Sequence, residues 1–129
     1  IPTQVQAPYG SCLFHARSAF GAPQGSPSAT GAADITRFRH STRTMPNYYV
    51  PVWFDHWGVY QGVFGNWGHV VIWNPDKKLF ESTPITYNNG LPGVEYFGTI
   101  GEIESIVGGS YRFWSEDING VRVVDLGRN

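Results

Sequence analysis

The chain has one cysteine, Cys12, and it stands in "YGSCLFHARSAFGAP" (9–23) directly after a Gly-Ser step. Cysteine catalysis needs a sulfur that can become thiolate, a base within hydrogen-bond reach, and a third polar group that orients the base. Ser11 is a good N-cap, and Cys12, Ala16, Ala19 and Phe20 fall at i, i+4, i+7 and i+8, so a helix is predicted over 12–20. Gly21 and Pro23 stop it. Cys12 then begins the helix, where unpaired N–H groups and the positive end of the dipole favour an anion. With an imidazolium nearby, such a site lowers a thiol pKa from ~8.5 to ~3.5–7.5. The same N–H groups could stabilise the oxyanion of a tetrahedral intermediate. The alternative is a small apolar filler, since free cysteine is among the most buried residue types.

Four histidines could supply the base. His15, one turn along the same helix, is expected to face solvent, and His40 lies in a polar turn. His56 and His69 are the candidates. His69 opens "HVVIW" (69–73), a strong strand pattern in which His69, Val71 and Trp73 share a face. If "NPD" (74–76) is a three-residue hairpin loop, Trp73 pairs with Lys77 and His69 with Glu81. Directly opposed residues have Cβ atoms ~4.5–5.5 Å apart, close enough for Glu81 to orient the ring. A five-residue loop moves Glu81 to a diagonal position on the same face. Asn74 is a second candidate for the third role, but it sits in the turn.

Around these residues the pattern predicts α+β architecture, with the helix first and an antiparallel meander after it. A short helix fits 31–39, with Ala32, Ile35 and Phe38 inward. "YYVPVWF" (48–54) reads as a strand, 55–68 as a long aromatic and glycine loop with at most a partial strand, and "KKLFEST" (77–83) as the return strand. Residues 84–93 read as irregular. Thr99 and Glu102 make a capping box for a helix over 100–107. Asn119-Gly120 signals a hairpin between 111–114 and 121–126.

Bulk properties narrow the function. The formal net charge is −1 with no basic run, which argues against nucleic acid; "RFRHSTR" (37–43) reads as a solvated turn. Five Trp, eight Phe and seven Tyr in 129 residues can build a core for a single domain. One cysteine allows no internal disulfide. No run of about 18 apolar residues is present to span a membrane. The first ten residues lack the form of a signal peptide. Ile1 is not an initiator, so the sequence is expected to be cut from a longer chain, with 127–129 leading into a linker. A metal site from Asp55, His56 and His69 lacks a recognised ligand spacing and leaves Cys12 unexplained.

The order of Cys at a helix start, "GHVVIW", and a polar residue twelve positions after the His resembles the NlpC/P60 and CHAP group of papain-like cysteine peptidases. "VPVWFDHWGVYQGVFGNWGHVVIW" and "WSEDINGVRVV" are similar in particular to peptidase domains of bacteriophage endolysins. The resemblance covers most of the chain. It implies Cys12 as nucleophile, His69 as general base and acid, and Glu81 as the orienting residue. Many NlpC/P60 members carry His, Asn or Gln in that third place, and many CHAP domains a more distant Glu and then Asn; here the spacing follows the first pattern, while the residue is acidic.

The resemblance further implies a papain-like fold and a peptidoglycan hydrolase that cuts an amide in or next to the stem peptide without a cofactor. An enzyme of that kind would be expected to act at the bacterial cell wall, to be phage-encoded and released from the host cytoplasm at lysis, and to be a monomeric domain attached to a wall-binding domain. Both bond classes stay open: the amide between muramic acid and L-Ala, and bonds within the stem or crossbridge. His56, Trp57, Tyr60, Asn66 and Trp67 would wall the substrate groove, packing on sugar rings or the stem peptide. The alternative for that cluster is a satellite core under a long loop. Two other functions compete. One is a cysteine hydrolase or acyltransferase on a protein substrate; the other is a non-catalytic wall-binding module.

Overall fold

The computed structural model describes residues 2, 6–7, 10–22, 24–86 and 89–124. Pro23 and the linker expected at 127–129 lie outside them. Two helices come first, α1 (Cys12–Phe20) and α2 (Ala29–Asp34). The strands β1 (Arg39–His40), β2 (Val50–Phe54), β3 (Trp57–Tyr60), β4 (Val63–Asn66), β5 (His69–Asn74), β6 (Leu79–Ser82) and β7 (Glu95–Phe97) follow. Then come α3 (Ile100–Val107), β8 (Tyr111–Ser115), β9 (Asp117–Ile118) and β10 (Val121–Arg122). A six-stranded antiparallel sheet has the order β1-β8-β2-β5-β6-β7, and β3-β4 and β9-β10 form separate ribbons. The molecule is thus α+β, with its N-terminal helix packed on an antiparallel sheet.

Both faces of the central strands are buried, which is why "HVVIW" reads as an unbroken apolar run. Val70, Ile72, Trp53 and Phe113 pack under α1 and α2 through Ala16, Ala19, Ala29, Ala32 and Ala33. Val50, Val52, Phe54, Val71 and Trp114 pack on the other face with Ile100, Ile103 and Val107 of α3. Alanines on the first two helices keep their sheet-facing surface thin and smooth. α3 starts as its capping box predicts, with Thr99 Oγ1 accepting the Glu102 N–H at 3.1 Å. α1 has the predicted bounds, and Gly21 closes it in the left-handed conformation at φ 70°.

Several expectations are corrected. The second helix runs over 29–34, not 31–39. Ser28 caps it by accepting the Gly31 N–H, and the buried Asp117 carboxylate takes the N–H groups of Arg37 and Phe38, which pulls that backbone out of the helix. Ile35 is consequently half exposed. Residues 57–66 are a full hairpin rather than a loop, closed by Gln61 (φ 51°) and Gly62 (φ 79°), both in the left-handed region that two-residue turns matching strand twist require. The Asn119-Gly120 turn forms, but it joins β10 to β9 and not to the strand at 111–114. His15, expected in solvent, is buried.

Candidate active site

Cys12 is the first residue of α1, and the Ser11 that precedes it occupies the N-cap position without a side-chain cap bond. The helix lies against β5. Its start meets the start of that strand, and the backbone N–H of Val70, the neighbour of His69, lies on the Cys12 side and favours a thiolate there. The N–H groups of Cys12 and Leu13 also approach the sulfur. They stabilise a thiolate there, as the helix-start argument expects, but burial outweighs them and pushes the thiol pKa up.

His69 is buried and its orientation is fixed by one bond, Nε2 to Ser82 Oγ at 2.8 Å. The Ser82 hydroxyl spends its own proton on the Thr83 carbonyl at 2.6 Å, so it accepts from the imidazole. His69 therefore carries its proton on Nε2, and Nδ1 is the basic nitrogen. Burial drives its pKa down to about 3, with the imidazoles of His56 and His15 adding to the shift. At neutral pH the site holds a neutral thiol and a neutral imidazole.

Glu81 does not face His69. The β5–β6 ladder pairs Ile72 with Glu81, Trp73 with Phe80 and Asn74 with Leu79. Four residues, 75–78, make the loop, one more than "NPD" and one fewer than the five-residue alternative. A one-residue change of register moves each side chain of the return strand to the opposite face. Glu81 lands beside Ile72 and Asn74, where its carboxylate accepts from Asn74 Nδ2 at 2.9 Å. Ser82 takes the face of His69 in its place. The longer loop has a local cause: Asn74 Oδ1 accepts the N–H groups of Asp76 and Lys77, and Lys78 turns back with φ 55°. Sequence reading missed Ser82, because its identity as the imidazole's partner depends wholly on that loop length.

Cys12, His56 and His69 line one cleft of about 170 Å³, with Tyr60, Trp67 and Ile85 among its walls. His56 and His69 meet edge to face, ring centroids 6.2 Å apart. Trp57 and Asn66 lie outside the lining. Trp57 packs on Phe64 on the exposed side of the hairpin. Asn66 is the hairpin's anchor: its Oδ1 accepts from the N–H groups of His56 and Gly68 and from Thr30, and its Nδ2 donates to Asp55. A larger groove of about 510 Å³, between Arg43, Trp73, Lys78 and Ile100, contains neither Cys12 nor a histidine.

Among the described residues no group of three or more His, Cys, Asp or Glu is placed to hold a metal ion, and no helix is long and apolar enough to cross a membrane. Family models, curated proteins and solved structures yield no match to this chain.

Proposed function

We propose that this protein is a papain-like cysteine hydrolase of the NlpC/P60–CHAP kind that cleaves an amide of bacterial peptidoglycan. The observation that supports it is the shared cleft, which brings together a thiol at a helix start and an imidazole at the start of the adjoining strand. Cys12 Sγ attacks a carbonyl in or next to the stem peptide as its proton passes to His69 Nδ1. Both groups begin neutral, so general-base transfer accompanies attack. The N–H groups at the start of α1 take the oxyanion. His69 then protonates the leaving amine, and the C–N bond breaks to leave a thioester. Water attacks the thioester, gives a proton to His69, and the thiol is restored. Ser82, not Glu81, holds the imidazole through this cycle.

The hairpin supports a polysaccharide-bearing wall as substrate. Residues 57–67 carry no charge, and Trp57, Val59 and Phe64 are 56%, 67% and 68% exposed, so an uncharged aromatic surface stands beside the cleft. In this reading the protein acts at the cell wall as a phage-encoded lysis enzyme. Cys12→Ala and His69→Ala should stay folded and lose lysis of susceptible walls. Mass spectrometry of wall digests would identify the bond from the new termini. Wild-type lysis by pure Cys12→Ala would refute the assignment and leave the wall-binding reading.

A further inference from the structure

We infer that His56 is a positioning residue that sets the charge His69 can carry, so that a neutral ring at 56 permits proton transfer from Cys12 and a protonated one blocks it. The inference rests on the Cys12–His69 reading above. Its basis is geometry. The two rings stand edge to face with centroids 6.2 Å apart in the same cleft. The backbone at 56 cannot retreat, because the His56 N–H is held by Asn66 Oδ1 at 2.9 Å and its carbonyl accepts the Trp67 N–H at 3.0 Å.

The neighbouring titratable groups offer little compensation. Cys12 and Tyr60 line the cleft and are neutral when protonated. His15, on α1, adds to the cationic side when protonated. Asp55, next to His56 in sequence, is engaged by Asn66 Nδ2 at 2.8 Å and lies 3.9 Å from Arg112 Nε. Glu81 is turned away to Asn74. Two positive charges about 6 Å apart at an effective dielectric near 20 disfavour each other by roughly a hundredfold in an equilibrium. A proton on His56 therefore opposes the imidazolium that acylation must form on His69. His56 is half-buried, and burial lowers its pKa below 6.5, so the block sets in on the acid side of neutrality.

The test uses NMR titration of the histidine rings in Cys12→Ala, with and without His56→Phe, and again with His56→Gln in case the larger ring perturbs folding. Removing the neighbouring imidazole should raise the His69 midpoint by about two pH units. An unchanged His69 midpoint in both variants would overturn the inference. In protein with Cys12 intact, the acid limb of the lysis profile should move to lower pH in His56→Phe, whatever the height of its plateau. An acid limb unmoved by either substitution would also overturn it. A shifted His69 midpoint in protein that never lyses walls would retain the charge coupling and remove the hydrolase reading, so the two failures are distinguishable.

Discussion

Ser82 and Glu81 are neighbours in the chain and are both buried, yet one bonds the imidazole and the other bonds an amide on the opposite face of the sheet. Under the proposed hydrolase function, their substitution should separate orientation of the base from support of the fold. Ser82→Ala leaves His69 Nε2–H without its acceptor, and the ring can turn. Turnover should fall by roughly ten- to a hundredfold with little change in KM, since the lost interaction serves the transition state. Glu81→Ala strands the Asn74 amide and should cost about 1–3 kcal/mol of stability, while turnover falls less than in Ser82→Ala. Paired melting curves and lysis rates decide between them. A larger loss of turnover in Glu81→Ala would return the third role to the carboxylate.

Between the hairpin and β5 the backbone passes through Gly68, and this junction sets where His69 begins. Gly68 has φ 74°, and a Cβ there would lie 2.6 Å from the Thr30 backbone nitrogen. That nitrogen donates to the Trp67 carbonyl at 3.0 Å, so α2, the hairpin and β5 are joined at one point. Gly68→Ala would strain the turn and push α2 away. A loss of roughly 1–3 kcal/mol is expected, read as a lower Tm. Lysis should fall as well, because His69 shifts with the junction. An unchanged Tm would show that the junction can give.

At the scale of the molecule, the two-sided packing of the sheet makes its histidines sensitive to acid. The His69 pKa is lowered from 6.5 to about 3 in the folded chain. Between those values the unfolded chain binds the proton and the folded chain does not. Stability from this group is therefore complete above pH 6.5 and is lost as pH falls toward 3, with a slope of about 1.4 kcal/mol per pH unit. Denaturant melts across pH 7 to 3.5 should show the decline, and His69→Gln should flatten it. An identical decline in both proteins would assign the acid sensitivity to other groups. His56, lowered in the same direction by burial, adds to it.

What the sequence determined by itself is local. The N-cap, apolar spacing and terminal glycine placed α1 within its observed bounds, the capping box placed α3, and the apolar run placed β5. Each depends on residues a few positions apart, whose propensities and hydrogen bonds act without the rest of the fold. That Cys12 opens α1 and His69 opens β5 was legible for the same reason. Tertiary structure decided whatever required counting across a gap. The β5–β6 register turned on one residue of loop, and Asn74 and Lys78 settled it by backbone bonding and a left-handed turn. The length of α2 was set by Asp117, about eighty residues away in the chain, and the burial of Ala16 and Ala19 by a sheet face assembled from β2, β5 and β8. The meeting of Cys12 with the start of β5 belongs to that second class, because it depends on which face of the sheet the first helix covers.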